Sequence, residues 1–482
     1  MQITDVSSKI ATGAAGGDRL KVAGMRFHFI GAGGIGMSGL AKVLLKNGGI
    51  VTGSDQTATA VTEALCGMGA EIRIGHRQAN VHPKTHAVVV SAAIKPDNPE
   101  LRLARANGCR IYKYAELLGE LMNYYRGIAV SGTHGKSTTT AWLAWCLEQA
   151  GRSPGFIVGA DVPQMGGSSG VGEGEFFVAE ACEYDRSFLN LRAEIAAILN
   201  IEPDHLDYYR DIDEIVEAFE QFASAIKPGG GLVANAEDAN AAGIMSRLAD
   251  EVRCESFGFG QGCVFRAANL AEVDGLYSFD VYHNGRLLGR TSIGLPGRHN
   301  VLNGLAVVAM GINAGLDGGE LLELLGGFEG ADRRLMFKGR VNDVTILDDY
   351  AHHPTEIRAS LDAIRRRYRP RRIWCVFQPH QYSRTRFLLD DFAESFSLAD
   401  VTIIPEIYFV RDSQQSRRQV NSEILVERIR AGGSEAVFIE SFGGICDYLL
   451  ENVGPGELVV TMGAGDVWKV ADEYIRRLRE DS

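Results

Sequence analysis

The sequence predicts an α/β protein of three domains, each built around a mostly parallel sheet. Three observations support this fold class. A glycine-rich loop follows an apolar strand at residues 31–36, a second such loop lies at residues 132–135, and alternating strands and helices resume from residue 344. Because single cores seldom grow beyond about 250 to 300 residues, a chain of 482 residues should divide. We expect domains at residues 24–124, 125–330 and 331–482.

Composition and charge exclude several classes of function. The net charge of −12 argues against broad nucleic-acid binding, which depends on an excess of Lys and Arg. The eight cysteines form no C-x-x-C pair and are typical of reduced thiols. No segment approaches the about 20 apolar residues of a membrane span, and the first two dozen residues lack an apolar core of signal-peptide length. We therefore expect a cytoplasmic protein without nucleic-acid or membrane partners.

The first domain opens with a strand at residues 26–30, the loop GAGGIG at residues 31–36 and a helix at 37–46. This G-x-G-x-x-G pattern is typical of a Rossmann-like domain that holds a diphosphate at a helix N-terminus, with an acid about 20 residues further on near a ribose. The pattern alone leaves open a nicotinamide dinucleotide or a UDP-sugar. The candidate ligand residues, including the polar ends of two further strands, are Gly33, Gly34, Ile35, Gly36, Ser54, Asp55 and Ser91.

The central domain opens with SGTHGKSTTT, residues 131–140, between an apolar strand and a helix. The backbone N–H groups of such a P-loop cradle phosphates, while Lys136 supplies a positive charge and Ser137 a hydroxyl suited to Mg²⁺. Val130 stands where the strict pattern has its first glycine, so Gly132 makes the turn. We expect a P-loop ATPase domain. Its triphosphate contacts would be Gly132, Thr133, His134, Gly135, Lys136, Ser137 and Thr138.

Acidic clusters follow two later strands of this domain, at residues 180–185 and 200–207. The carboxyl ends of parallel strands share one edge of a sheet, so Glu180 and His205 should lie near the P-loop and could hold Mg²⁺. Residues 258–293 alternate in short runs around Asn284-Gly285, which predicts a small antiparallel insert. Asn300 and Asn303 lie one helical turn apart, and they could bind an adenine edge or cap their helix.

The third domain alternates strands and helices from residue 344 to 462, which predicts a second Rossmann-like sheet. DDYAHHPT, residues 348–355, follows its first strand, and Pro354 is placed to begin a helix. FQPHQYSRTR, residues 377–386, follows the next strand, and Arg384 or Arg386 could clamp a carboxylate. Both segments should lie at the ligand-binding edge of the sheet.

Seven segments, in this order, resemble the Mur ligases, which are ATP-dependent amide-forming enzymes of peptidoglycan precursor synthesis. The segments span residues 28 to 386 and touch all three expected domains; they are HFIGAGGIGMSGLA, SGTHGKSTTT, EACEYDRSFL, NIEPDHLDYY, GRHNVLN, DDYAHHPTEI and FQPHQYSRTR. The last two are specific to the branch of the family that adds L-alanine. The resemblance implies a UDP-binding first domain, an ATPase central domain and a C-terminal domain that supplies amino-acid and ATP contacts.

The resemblance also implies roles for individual residues. The metal ligands, directly or through water, would be Ser137, Glu180 and His205. Asn300 and Asn303 would meet adenine, Asp349 the ATP ribose and Arg334 the γ-phosphate. The amino-acid contacts would be Tyr350, His352 and Arg384, and the catalytic residues Lys136, Arg334 and His352.

The implied reaction joins L-alanine to the lactyl carboxylate of UDP-N-acetylmuramate through an acyl phosphate, with ATP and Mg²⁺ and with ADP as product. His352 is either the base for the amine or an orienting group. Gln381 replaces an arginine frequent in the alanine-adding branch, which leaves open a relative that ligates a preformed peptide. A nicotinamide-dependent oxidoreductase and an ATP-gated binding protein are alternatives of other classes. We expect a monomer or homodimer.

Overall fold

A computed structural model of the chain describes residues 22–410, 412 and 414–480. It contains three sheets, and each lies within one of the three expected segments. The three-domain α/β fold predicted from the sequence is therefore confirmed, while the residues at which one domain gives way to the next stay a prediction.

The N-terminal sheet has five parallel strands in the order β3-β2-β1-β4-β5. The strands are β1 Arg26–Ile30, β2 Ile50–Asp55, β3 Glu71–Ile74, β4 Ala87–Val90 and β5 Arg110–Lys113. The helices are α1 Ile35–Lys46, α2 Ala60–Gly67, α3 Pro99–Ala106 and α4 Tyr114–Met122. The strand order reverses between β1 and β4, which places a ligand crevice beside the glycine loop that follows β1.

The central sheet has ten strands in the order β15-β14-β13-β12-β11-β10-β6-β9-β7-β8. They are β6 Arg126–Ser131, β7 Gly155–Ile157, β8 Ser169–Gly170, β9 Phe176–Glu180, β10 Ile195–Ile198, β11 Gly231–Asn235, β12 Arg253–Gly258, β13 Phe265–Val273, β14 Leu276–His283 and β15 Arg286–Ser292. The helices are α5 Lys136–Gln149, α6 Ile212–Ser224, α7 Ala239–Arg247, α8 Arg298–Asn313 and α9 Gly318–Leu324. Strand β6, which leads into the P-loop, lies between β10 and β9, so both acidic clusters flank that loop.

The antiparallel insert is the far end of this sheet, because β13 pairs in parallel with β12 and then in antiparallel with β14. Asn284 and Gly285 connect β14 to β15 with φ of 50° and 74°. Positive φ at both central residues is the geometry of the tight hairpin that the Asn-Gly pair predicts.

The C-terminal sheet has six strands in the order β16-β17-β21-β18-β19-β20. They are β16 Met336–Val341, β17 Val344–Asp349, β18 Ile373–Phe377, β19 Val401–Ile404, β20 Ala436–Phe438 and β21 Leu458–Met462. The helices are α10 Pro354–Tyr368, α11 Tyr382–Phe387, α12 Leu389–Ser395, α13 Gln414–Arg417, α14 Ser422–Ala431, α15 Phe442–Asn452 and α16 Trp468–Glu480. Strand β16 pairs in antiparallel with β17 at one edge, and the sequence did not predict it.

The three domains are joined in two different ways. One apolar core contains residues of both the N-terminal and the central domain, such as Phe29 and Leu44 together with Phe177 and Phe219. The C-terminal apolar clusters, within the part of the chain that the structure describes, include no central-domain residue. The C-terminal domain therefore meets the rest of the molecule mainly through polar groups, which suits a domain that moves.

One of these polar contacts lies at the tip of the β13–β14 hairpin. Arg366 and Arg369, at the C-terminal end of α10, pair with Glu272 at 3.0 Å and Asp274 at 3.1 Å. Gly275 packs against the backbone of α10, where an added Cβ would lie 2.8 Å from the Arg367 nitrogen. The hairpin thus braces the C-terminal domain. No described helix is both long and apolar enough to cross a membrane.

The core of the central domain supplies a stability test at Trp142 of α5. Its ring is fully buried and stacks on Phe328 with 5.5 Å between centroids. We expect Trp142→Ala to lower the free energy of unfolding of this domain by about 3 to 5 kcal/mol, as large aromatic truncations do. Val273→Ala at an exposed strand position should change it by less than about 0.5 kcal/mol. Calorimetric unfolding checks both, and equal effects would contradict this account of the core.

Candidate active site

The carboxyl edges of the central and C-terminal sheets border a common cleft of about 350 Å³. From the central domain its wall includes the P-loop, the start of α8 and the loop after β10; from the C-terminal domain it includes the end of β17 and the first turns of α10. Predicted residues on this wall are His134, Gly135, Thr138, Asn300, Asn303, Arg334 and Asp349. The cleft therefore gathers residues from distant parts of the sequence.

The P-loop depends on two glycines. Gly132 and Gly135 have φ of 149° and 80°, which side-chain-bearing residues rarely adopt. Gly135 is also the N-cap of α5, and an added Cβ there would lie 2.8 Å from Oδ1 of Asn303. The loop therefore needs glycine at this position, and it aims the positive end of α5 at the cleft.

Lys136 begins α5 and turns back over the loop. Its ammonium donates to the Thr133 carbonyl at 3.0 Å and lies 3.0 Å from the Glu183 carboxylate. Burial lowers the pKa of Lys136, but Glu183, with weaker help from Glu180, outweighs it and raises the pKa above its ordinary value. The side chain is therefore a fixed positive charge beside the P-loop backbone.

The three predicted metal ligands follow adjacent strands. Ser137 is buried in the first turn of α5, Glu180 ends β9 and accepts the Gly159 N–H at 2.7 Å, and His205 follows β10 with φ of 53°. A hydroxyl, a carboxylate and an imidazole form a mostly oxygen donor set, which suits Mg²⁺. The positive φ of His205 is a costly backbone state of the kind found at functional sites.

Glu183 belongs to this edge as well, and it was absent from the predicted site. Its carboxylate is almost fully buried between Lys136 and His205, whose Nε2 lies 3.8 Å from Oε1. The acidic string E-A-C-E signals both Glu180 and Glu183 equally, and only the fold shows that Glu183 meets the lysine.

Glu356 of α10 connects the P-loop to the C-terminal domain. Its Oε1 lies 3.1 Å from His134 Nδ1, and its Oε2 accepts the N–H of His352 at 3.0 Å and that of His353 at 3.3 Å. Burial alone would raise the pKa of Glu356, yet the charges of His134 and Arg334 hold it well below its ordinary value. The Glu356 carboxylate is therefore ionised, and nearby positive charge and hydrogen bonds compensate for its burial.

The pKa of His134 shifts in the opposite direction to that of Glu356. Burial lowers its pKa, but the carboxylates of Glu202 and Glu356 outweigh that effect and raise the pKa to about 9. Thr355 donates to Glu202 at 2.6 Å, so α10 is joined to the central domain a second time.

His352 is a neutral imidazole in this environment, because burial lowers its pKa to about 4 despite nearby Glu356. Its Nδ1 lies 3.1 Å from the Tyr350 carbonyl, an acceptor, so Nδ1 carries the hydrogen and Nε2 keeps its lone pair. This arrangement can accept a proton or an N–H hydrogen bond through Nε2.

Tyr350 lies under two arginines, with Arg333 and Arg334 at 5.1 and 4.9 Å from the ring centre. Arg333 is structural, since it donates to Asp348 and to the Gly463 carbonyl. Arg334 reaches Ser137 Oγ at 3.4 Å, and its buried Nε has no protein partner among the described residues. Arg334 therefore keeps a donor for an anion beside the P-loop.

Arg384 is buried and contacts a protein carboxylate. Its Nε and Nη2 donate to Oδ1 of Asp204 at 2.9 and 2.8 Å. Burial raises the pKa of Asp204, but Arg384 and nearby histidines hold it well below its ordinary value. The predicted contact of Arg384 with an amino acid stays a prediction, and the structure adds Asp204 as its partner across the domain boundary.

The predicted adenine and ribose residues lie on the cleft wall. Asn303 donates to Asn300 Oδ1 at 2.9 Å, and Asn300 donates to the Pro296 carbonyl at 2.7 Å. Asn300 does not cap α8, because Gly297 holds that position without a side-chain bond. Asp349 ends β17, where it accepts the Ser360 hydroxyl.

The glycine loop of the N-terminal domain is held by the acidic residue at the end of β2, Asp55. Asp55 accepts the Gly33 N–H at 2.7 Å, and Gly36 lies against the Tyr114 ring, which a Cβ would meet at 2.6 Å. Ser91, Gly34 and Ile35 border the same loop: Ser91 packs beside Gly31, Gly34 is the N-cap of α1, and Ile35 begins that helix.

Ser54 is placed differently from the expectation for a ligand residue. Its side chain is fully buried and donates to Glu100 at 2.6 Å, because β2 extends to Asp55 and turns Ser54 toward the domain interior. Its carbonyl accepts the N–H groups of Gly31 and Ala32, so Ser54 shapes the loop through its backbone.

Comparisons with known proteins agree with this architecture. Family profiles match in three parts: "Mur ligase family, catalytic domain" at residues 26–126, "Mur ligase middle domain" at 130–311 and "Mur ligase, glutamate ligase domain" at 333–465. A UDP-N-acetylmuramate–L-alanine ligase of Clostridium botulinum (strain Loch Maree) is 41% identical over 95% of this chain and 99% of its own length. One of Caldanaerobacter subterraneus is 42% identical over 93% and 97%.

Solved structures give the same result. The UDP-N-acetylmuramate-alanine ligase of Thermotoga maritima has a TM-score of 0.79 at 27% identity, covering 95% of this chain and all of the other. A murein peptide ligase of Psychrobacter arcticus has a TM-score of 0.70 at 26% identity, covering 94% and 99%.

Asp349 gives a test of the electrostatics of the cleft. Burial raises its pKa to about 6, although the Ser360 hydrogen bond and Arg334 oppose the shift. A carboxyl whose folded-state pKa is raised stabilises the protein below its unfolded pKa near 4, and loses that contribution as pH rises through about 6. Relative to the parent, Asp349→Asn should therefore gain on the order of 2 kcal/mol between about pH 4.5 and pH 7.5.

Urea unfolding of both proteins at several pH values measures this difference. Asp391→Asn, at an exposed position of the same domain, should show a constant difference from the parent. A difference for Asp349→Asn that stays constant with pH would mean that Asp349 is ionised in the folded protein at all these pH values.

Proposed function

The chain belongs to the Mur ligase family, and we propose that it joins L-alanine to the lactyl carboxylate of UDP-N-acetylmuramate, with cleavage of ATP to ADP and phosphate. The observation that carries this proposal is the near full-length similarity to relatives named for that ligation, at 41% identity. The product is a peptidoglycan precursor, so the reaction contributes to cell wall biogenesis, cell shape and cell division. We place the enzyme in the cytoplasm, as a monomer or homodimer.

ATP would bind in the cleft between the central and C-terminal domains. The P-loop, Gly132 to Thr138, would hold its phosphates at the positive end of α5. Asn300 and Asn303 would meet the adenine edge and Asp349 the ribose, and all three line the cleft. A nucleotide bound in the cleft would touch both the central and the C-terminal domain. Its binding would therefore favour closure of these two domains during turnover.

UDP-N-acetylmuramate would bind at the first glycine loop. The first N–H groups of α1, at Ile35 and Gly36, have no partner within the helix and point toward the crevice. A diphosphate suits that position. Asp55 accepts the Gly33 N–H, so we propose that it stabilises the conformation of the glycine loop as well as contacting the ribose. Ser91, which packs beside Gly31 of the same loop, would contact the UDP-sugar as well.

In the first step, a lactyl carboxylate oxygen bonds to the γ-phosphorus and the bond from that phosphorus to the β,γ-bridging oxygen breaks. The products are an acyl phosphate and ADP. Lys136 and Arg334 lie beside the P-loop and stabilise the negative charge on the transferred group through fixed positive charge. Ser137, Glu180 and His205 would hold Mg²⁺, which neutralises phosphate charge when bound.

In the second step, the neutral amine of L-alanine attacks the acyl carbon, and phosphate leaves from the tetrahedral intermediate. Tyr350 and Arg384 would position the amino acid. His352 Nε2, free to accept, would bond the amine N–H and take the proton that the nitrogen loses once it carries the new bond. A histidine of pKa about 4 is a weak base toward an ammonium ion, so L-alanine must enter as the amine.

Phosphate release from ATP is the direct test of the proposed reaction. The assay contains Mg²⁺ and UDP-N-acetylmuramate with no amino acid, L-alanine, glycine, L-serine or a muropeptide tripeptide. We expect ADP and phosphate only when both UDP-N-acetylmuramate and L-alanine are present. Dependence on the tripeptide would indicate a peptide ligase, and AMP with pyrophosphate would contradict the acyl-phosphate route.

Two variants test the charge-stabilised transfer. Lys136→Met and Arg334→Gln each remove a positive charge beside the P-loop, and each should lower kcat by roughly 100-fold or more. Arg340→Gln removes an exposed arginine near the end of β16, where it pairs with Asp343, and should stay within about twofold of the parent. Retention of more than roughly a tenth of kcat by Lys136→Met would remove Lys136 from the mechanism.

A further inference from the structure

Three possible metal ligands, none of them among the proposed Mg²⁺ residues, meet at the junction of the central and C-terminal domains. They are His134, Glu202 and His353, whose ligand atoms all lie within 4.8 Å of one another. His134 Nε2 lies 3.4 Å and His353 Nδ1 3.8 Å from Oε2 of Glu202. Ligands of a tetrahedral ion with bonds of about 2.0 to 2.1 Å are separated by similar distances.

Both imidazoles are oriented as in metal sites. A metal-bound histidine usually donates its other ring N–H to a carboxylate or a backbone carbonyl, which fixes the ring and the tautomer. His134 Nδ1 lies 3.1 Å from the Glu356 carboxylate, and His353 Nε2 lies 3.2 Å from the Pro203 carbonyl. The remaining nitrogens, His134 Nε2 and His353 Nδ1, face Glu202. His353 Nδ1 also accepts the Thr355 N–H at 3.3 Å, and a bound metal ion would replace that hydrogen bond.

The surroundings complete this arrangement. Thr355 donates to Glu202 Oε2 at 2.6 Å, which fixes the carboxylate. The side chains of His134 and His353 are 12% and 5% exposed, so solvent competes weakly with a metal ion for their ring nitrogens. His134 and Glu202 also line the cleft, so a fourth position can be taken by a water molecule or a phosphate oxygen.

We propose that His134, Glu202 and His353 form a binding site for a divalent transition metal of the zinc class. Two imidazoles and one carboxylate with an open fourth position are a common zinc ligand set, whereas Mg²⁺ prefers oxygen ligands in octahedral geometry. Since His134 and Glu202 belong to the central domain and His353 to the C-terminal domain, the bound ion clamps the two domains together.

Co²⁺ is the probe, because tetrahedral Co²⁺ absorbs visible light strongly and octahedral Co²⁺ does so weakly. It is titrated into the full-length protein with excess Mg²⁺, followed by Zn²⁺. We expect one equivalent of tetrahedral Co²⁺, displaced by one equivalent of Zn²⁺. His353→Asn removes the ligand nitrogen but keeps a residue that can cap α10. It should bind Co²⁺ at least about tenfold more weakly, since even the loss of a supporting partner costs about 10- to 100-fold.

His82→Asn is the matched control, because the Nδ1 of His82 also accepts the N–H two residues further on, but at an exposed site. It should bind Co²⁺ as the parent does. Zn²⁺ should also raise the unfolding temperature of the parent and of His82→Asn, with a smaller effect on His353→Asn.

Four outcomes would overturn the proposal. A signal lost in His205→Asn but kept in His353→Asn would assign the ion to the proposed Mg²⁺ residues. A sulfur-to-cobalt charge-transfer band would assign it to cysteines. No tetrahedral signal would mean that protonated His134 keeps its place between Glu202 and Glu356. An equal Zn²⁺ effect on all unfolding temperatures would exclude the clamp.

Discussion

A single buried carboxylate, Glu356, sets the position of the C-terminal domain on the P-loop. An ionised carboxylate removed from water is costly unless charge and hydrogen bonds compensate it. Here His134 supplies the charge, and the backbone N–H groups of His352 and His353 supply hydrogen bonds. Since the partners come from two domains, the compensation is complete only when those domains are together. The stability of this arrangement is therefore linked to the contact that forms the cleft.

The apolar cores explain which domain is free to move. The N-terminal and central domains share one core, so separating them would expose apolar surface. The C-terminal domain has separate cores and meets the central domain through polar contacts: Glu356 contacts His134 of the P-loop, while Thr355 and Arg384 contact Glu202 and Asp204 of the loop after β10. Polar contacts can be exchanged for water or for substrate at a small net cost. A ligase with an acyl-phosphate intermediate needs such a reversible closure, because the intermediate must be kept from water.

Local patterns of the sequence predicted the fold and the P-loop, because each strand, glycine turn and helix is encoded by residues that are neighbours in the sequence. Two interactions that join the central and C-terminal domains could not be predicted this way. His134 and Glu356 are 222 residues apart, and Asp204 and Arg384 are 180 apart. The burial of the Ser54 side chain has a local reason: β2 continues two residues beyond Gly53, and side chains alternate between the faces of a strand. The apolar residues of edge strand β16, Met336, Phe337 and Val341, do not alternate with polar ones.

The hairpin between β13 and β14 limits the position of α10 and therefore the width of the cleft. Its tip reaches the far end of α10, while the first turn of the same helix carries Glu356, which contacts the P-loop, and Thr355, which contacts Glu202. The helix is thus held at both ends, and the length of the hairpin limits how far the helix can tilt toward the P-loop. At the tip, the backbone of Gly275 contacts α10 where no side chain fits. The β13–β14 hairpin, although it lies outside the cleft, thereby limits the width of the cleft. A longer or bulkier hairpin tip would change how the two domains close without altering any residue of the cleft.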